Sequence, residues 1–178
     1  MLRRMWGSVG AFWGIGGVAL LLGSAVWRLT PIAVAAFDNP LSWRHLAFLV
    51  PWVVVMLWSE GYRGFHQQFC PRVVARARHL HRHPRFWHVL FAPPFCMGYF
   101  HATLRRMMSS LLLTLGIVIL VLIVGRMPQP WRGLIDIGVV VGLAMGLASL
   151  AYFTVRGFVL DDLEASPELP YSGAPSQE

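Results

Sequence analysis

Long apolar runs separated by short polar stretches dominate the sequence. Four of these runs, at 5–27, 41–60, 107–125 and 133–155, are each close to 20 residues long. A helix of about 20 apolar residues crosses the hydrocarbon core of a bilayer. The pattern therefore predicts an all-α polytopic bundle with four full spans. The first run also resembles a secretory signal, because Gly23-Ser24-Ala25 is similar to a cleavage site, but it is longer than a signal's apolar region, and we interpret it as an uncleaved span.

A fifth apolar run, 86–104, differs from the others because the pair Pro93-Pro94 interrupts it. Each proline removes a backbone donor and disfavours helix in the residue before it. Non-helical backbone at membrane depth is tolerated only where protein or water covers it. We therefore expect a broken or re-entrant segment covered by the other spans, although a full crossing remains an alternative.

The polar connector 61–85 reverses the composition, with six arginines and four histidines in 25 residues. From Pro71 onward, apolar residues recur at helical spacing among the basic ones, which predicts an amphipathic helix on the membrane surface.

We assign 1–158 to a single transmembrane domain. The remaining 159–178 are acidic and rich in Pro and Ser, which is typical of a mobile tail.

The distribution of arginine predicts the topology. If 86–104 is re-entrant, eleven arginines lie on one side of the membrane and four on the other; if it crosses, the division is ten to five. The side richer in arginine is the cytoplasmic one. The connector is therefore expected in the cytoplasm in both cases. We expect a multi-pass protein of the bacterial inner membrane with both termini cytoplasmic.

Composition excludes several chemistries. The chain is 56% hydrophobic and 13% charged, with a mean hydropathy of +0.57 and a net charge of +7, and it contains no lysine. Schiff-base catalysis and a P-loop lysine are therefore impossible. Five of the eight acidic residues lie in 161–178, which leaves little material for catalysis by paired carboxylates. We expect no enzymatic activity, no cofactor and no bound metal.

Two residue sets are candidates for interaction. The last span contains Gly138, Gly142 and Gly146, a G-x-x-x-G spacing that lets membrane helices pack closely, either within this chain or against a partner. The connector contains five arginines suited to the headgroups of anionic lipids: Arg72, Arg76, Arg78, Arg82 and Arg85. Because the connector lies against a bilayer, lipid is a simpler partner than nucleic acid. His79 and His83 have a spacing that zinc ligands use, but no acid or cysteine lies close in sequence.

Four ionisable residues in or beside the apolar runs are candidates for an intramembrane polar site: Glu60, Asp136, His88 and His101. For Asp136 and Glu60 we favour local ion pairs, with Arg132 four residues before and Arg63 three residues after. His88 and His101 are thirteen residues apart, a spacing used by axial haem ligands in four-helix cytochromes. Such a protein needs matching histidines on a second helix.

The stretch Arg82-His83-Pro84-Arg85-Phe86 resembles the Arg-His-Pro signature of the membrane methyltransferases that include isoprenylcysteine carboxyl methyltransferases. The resemblance covers five residues and implies binding of S-adenosylmethionine near His83 on the cytoplasmic face.

Packing and anchoring features outnumber catalytic ones. The main hypothesis is therefore a non-enzymatic accessory, anchoring or assembly subunit that binds membrane lipid and another membrane protein or a second copy of itself. The alternatives are a small transporter or channel component and, from the resemblance, a methyltransferase.

Overall fold

The structure is a computed structural model that describes residues 2–162 and 165, without the side chains of 2–4, 105 and 106. Most of the predicted acidic tail, 159–178, lies outside the described residues. Every regular element in the described part of the chain is helical, and four stretches are long and apolar enough to cross a membrane. The predicted all-α transmembrane class is therefore confirmed.

The helices follow one another with short connections. In chain order they are α1 (Leu2–Val34), a 3₁₀ turn (Ala35–Asp38), α2 (Trp43–Met56), a π-helical segment (Leu57–Phe69), α3 (Cys70–Arg82), α4 (Phe86–Leu90), α5 (Ala92–Met97), α6 (Leu104–Val124) and α7 (Trp131–Phe158).

The helix that contains the second predicted span does not end near residue 60. It continues without a break from Trp43 to Arg82, so the helical part of the basic connector extends the helix of this span. A π-helix uses i→i+5 hydrogen bonds and is rarely this long. The N–H group of Cys70 accordingly bonds to the carbonyl of Phe65, and Pro71, which has no N–H group, follows directly. The change of hydrogen-bond register thus falls where proline would otherwise interrupt an α-helix.

The chain divides into two compact units. The first comprises Met1–Val18, Pro71–Leu115 and Phe153–Glu178, and the second comprises Ala19–Cys70 and Gly116–Tyr152.

In the first unit, glycines of α1 allow the broken segment to approach closely. A Cβ atom at Gly10 would lie 2.9 Å from the Val89 side chain, and one at Gly17 would overlap Pro93. The segment therefore follows α1 over about two turns between these glycines. Gly98 then adopts a left-handed conformation with φ of 86°, which glycine accommodates without strain.

The broken segment turns back on itself after Gly98. The carbonyl groups of Phe95, before the turn, and of Phe100, after it, both accept hydrogen bonds from the Arg76 guanidinium group. The prediction of a broken apolar segment is thus confirmed, and its two arms meet at one side chain.

In the second unit, α2 and the π-helical segment pack beside α7 in the same direction. Trp52 contacts Gly138, and Phe65, further along the chain, contacts Gly146. Two membrane spans that run in the same direction have an odd number of crossings between them in the chain. Since α6 lies between them in sequence and is one of the four candidate spans, 86–104 adds no further crossing. This packing agrees with the re-entrant alternative.

Candidate functional site

The five arginines predicted to bind lipid headgroups lie in different environments. Arg76 is buried, Arg72 and Arg78 are half-buried, and Arg82 and Arg85 are exposed. Arg78 and Arg82 line a common cavity, to which the other three arginines do not contribute. The structure therefore does not support a single basic face, because successive turns of α3 present these side chains to different neighbours.

Arg76 requires a correction, since it is not on a solvated surface. It is only 3% exposed, and its guanidinium group donates from Nε to the carbonyl of Phe95 at 2.6 Å. It also donates from Nη2 to the carbonyls of Phe100 at 2.9 Å and His101 at 3.0 Å. Its Cζ atom lies 4.3 Å from the centre of the Phe95 ring, within the range of a cation–π contact. Arg76 is thus a structural clamp on the broken segment.

Two of the polar candidates, His88 and His101, meet beside this clamp. Their ring centres are 4.6 Å apart in an edge-to-face arrangement, and His88 also stacks on Phe95 at 4.7 Å. Burial, with smaller contributions from His101 and nearby arginines, lowers the pKa of His88. The two histidines therefore contact each other directly, whereas axial ligands of two separate haems would have to be apart.

A cavity lies where the end of α3 meets the end of α7. Its volume is about 700 Å³, and it is lined by Arg78, His81, Arg82, Pro84, Gly157, Phe158 and Asp161. The His81 and Phe158 rings form part of the wall, with their centres 6.2 Å apart. Two arginines face one acid here, so the cavity is positively charged.

Asp161 forms ion pairs with the two arginines of the cavity. It contacts Arg78 directly, and the Arg82 Nη2 atom lies 3.8 Å from the Asp161 Oδ1 atom. The backbone of Asp161 has a φ of 52°, a conformation that aspartate adopts more readily than most residues. The next residue, Asp162, pairs with Arg156. Asp161 is therefore held against α3, and Asp162 against the last turn of α7, by pairs of carboxylate and guanidinium groups.

The glycine stripe of α7 packs within this chain. Cβ atoms added at Gly138 and Gly146 would lie against Trp52 and the ring of Phe65, whereas one at Gly142 would be 3.5 Å from the Cβ atom of Glu60. Of the two interpretations offered by the sequence, the structure shows contacts within one protomer. This face of α7 is accordingly covered by residues of α2 and the π-helical segment.

The two acidic candidates do not form the local ion pairs that the sequence suggested. Arg132 instead donates from Nη1 to the carbonyl of Gly125 at 3.5 Å, and its Nε atom is buried without a partner among the described residues. Asp136 is 6% exposed. Glu60 is exposed beside Gly142, and in the described chain it makes no ion pair with Arg63. Arg132 does not pair with Asp136 because its side chain extends back toward the loop before α7, where Gly125 lies.

A polar contact that the sequence reasoning missed joins His66 to α7. Its Nδ1 atom lies 3.1 Å from the hydroxyl oxygen of Ser149, and its ring stacks on those of Tyr62 and Tyr152. Ser149 lies three residues after Gly146 and so continues the glycine stripe, which is the signal that could have identified it. Hydrogen bonds of this kind join membrane helices.

The remaining histidines of the connector stack on each other, with the ring centres of His79 and His83 5.0 Å apart. No group of three potential metal ligands occurs in the part of the chain that the structure describes. His83, the centre of the methyltransferase-like motif, is exposed. No protein-family model, curated protein or solved structure matches the chain, so the resemblance has no support beyond its five residues.

Proposed function

We propose that this protein is a non-enzymatic membrane subunit that anchors or assembles a partner membrane protein. In this proposal it resides in the bacterial inner membrane, with both termini and the basic end of α3 on the cytoplasmic side. Anionic lipid binds at the arginines of that end.

The exposure of α6 is the observation that carries the proposal. Every residue from 111 to 123 is exposed, and the large apolar side chains among them are 45–62% exposed on all sides of the helix. A helix that packs on a neighbour buries one stripe of its surface, and this part of α6 buries none. It therefore contributes little to the fold of its own chain and is available to lipid or to the helix of another protein.

Gly116 offers a point of close approach on this helix. A Cβ atom added there would meet no other atom within 4 Å, unlike the glycines of α7. Small residues are the usual contact points between membrane helices, because they let the backbones come near each other. Since the close-packing glycines of α7 are covered, an interface with another protein is best placed around Gly116.

Purification from native membranes in a mild detergent tests the proposal. We expect the wild-type chain to copurify with a membrane protein in a stable complex, and Gly116→Leu to lose that protein because the added side chain blocks helix contact. Gly23→Leu is the matched control, since Gly23 of α1 also lies in open space. A monodisperse monomer without a partner would contradict the proposal, as would equal loss of the partner in both variants.

The burial of Asp136 favours one alternative, a small transporter or channel component. Asp136 is 6% exposed within a predicted membrane span, where burial of a charged carboxylate costs free energy. Acidic residues in such positions commonly have a function. Ion flux into liposomes that is abolished in Asp136→Asn would favour this alternative over an assembly role.

A further inference from the structure

We propose that the cavity between α3 and the end of α7 binds the phosphate group of an anionic phospholipid, and that Asp161 occupies the phosphate position when no lipid is bound. This inference rests on the proposed membrane role and narrows its lipid contact from five arginines to Arg78 and Arg82.

The ion pairs of Asp161 define the position of the phosphate. The Asp161 carboxylate already contacts Arg78 and lies 3.8 Å from Arg82, so a second anionic group with several oxygens fits the same donors. Guanidinium groups bind phosphate through paired hydrogen bonds, as they bind carboxylate. Two arginines and one acid leave a net positive charge, and a phosphate with Asp161 displaced would be held by both cations.

The walls of the cavity indicate a lipid headgroup rather than a free phosphate ion. Its volume of about 700 Å³ is within the range of sites for small organic molecules, and Pro84 and Phe158 supply apolar surface beside the arginines. Phe86 and Trp87 follow in the chain and are both exposed. Aromatic residues of this kind concentrate at the level of the lipid headgroups. The cavity thus combines a charged end with apolar walls near a membrane surface.

Displacement of Asp161 requires little rearrangement. The Asp161 side chain is 74% exposed, and that of Arg82 is 63% exposed, so both move into water when the pair opens. Ion pairs that are open to solvent contribute little to stability. Arg78 is only 17% exposed and is the fixed element of the site. Binding of lipid would release the chain after α7 from α3.

Lipid titration of the full chain in nonionic detergent tests this site. We expect short-chain phosphatidylglycerol to bind, and Arg78→Gln and Arg82→Gln each to weaken binding by about tenfold through loss of a charge-assisted contact. Asp161→Asn removes the competing carboxylate and should tighten binding by about threefold. The matched control is Arg85→Gln, an exposed arginine that lines no part of the cavity, and it should leave the affinity unchanged.

Short-chain phosphatidylcholine and inorganic phosphate are the comparison ligands, and both should bind more weakly than phosphatidylglycerol. Equal affinity for inorganic phosphate would overturn the assignment to lipid. Equal effects of Arg85→Gln and Arg82→Gln, or no effect of Asp161→Asn, would overturn the site. These results are independent of copurification: loss of the partner with lipid binding intact contradicts only the assembly role, and the reverse contradicts only the cavity proposal.

Discussion

Arg76 and Arg78 are two positions apart on α3, yet one is buried among carbonyl groups and the other opens onto a cavity. Residues two positions apart on an α-helix point in directions about 200° apart around the helix axis, so Arg76 and Arg78 face different surroundings. The broken segment covers the Arg76 side, where the backbone carbonyls of Phe95, Phe100 and His101 accept hydrogen bonds from the guanidinium group. A positive charge is stabilised there because it satisfies those carbonyls together.

Removal of the Arg76 guanidinium group is expected to destabilise the fold. In Arg76→Gln the three carbonyls lose the guanidinium donor, which should lower the free energy of unfolding by about 2–4 kcal/mol. Arg76→Lys should cause a smaller loss, because one ammonium group cannot reach all three carbonyls as the planar group does. Thermal unfolding in detergent measures both variants.

Arg85→Gln is the control for this experiment, because Arg85 is exposed and its loss should change stability by less than about 0.5 kcal/mol. If Arg76→Gln were as stable as Arg85→Gln, the clamp would contribute nothing to the fold.

In the second unit, the three glycines of the α7 stripe have different amounts of free space in front of them. Gly138, Gly142 and Gly146 have the same spacing and the same sequence signature. In the structure, Trp52 and Phe65 fill the space in front of the outer two, and the Trp52 indole also donates to the carbonyl of Ile135 at 3.1 Å. Gly142 faces the narrower Glu60 stem and has room for a methyl group.

Alanine substitution along the stripe should therefore have unequal effects. We expect Gly138→Ala and Gly146→Ala to lower the free energy of unfolding by about 1–3 kcal/mol, because the methyl group collides with an aromatic ring. Gly142→Ala should be neutral or should stabilise the helix by up to about 1 kcal/mol. Thermal unfolding in detergent distinguishes the three variants. Equal destabilisation by all three would contradict the packing described.

At the scale of the whole molecule, the parallel packing of α2 and α7 determines the number of crossings. If 86–104 is re-entrant, the arginines divide eleven to four across the membrane, and if it crosses, they divide ten to five. These counts are too similar to distinguish the two topologies. Helix direction within one unit separates them clearly, because an additional crossing would reverse α7 relative to α2. We therefore expect the broken segment to begin and end on the same side of the membrane.

Labelling of single cysteines tests this topology in intact cells or sealed vesicles. Arg85→Cys and Thr103→Cys, which flank the broken segment at exposed positions, should react from the same side, and Asp38→Cys and Arg126→Cys from the opposite side. The native Cys70 and Cys96 are buried and give little background, and burial raises the pKa of the Cys96 thiol to about 12. Reaction of Arg85→Cys and Thr103→Cys from opposite sides would show that the segment crosses.

The structure places the break in 86–104 at Phe91, just before Pro93-Pro94, which lie in the first turn of α5. The sequence alone determined the membrane class, the four spans and the presence of that break, because apolar length and proline chemistry act locally along the chain. It could not show that Arg76 is buried, that Asp161 reaches Arg78, or that His66 reaches Ser149. Each of these contacts joins residues that are far apart in sequence or depends on which face of a helix is covered. Hydrophobic periodicity does not show which helix covers a given face or which distant residue a side chain reaches. Only the packing of the helices determines these contacts.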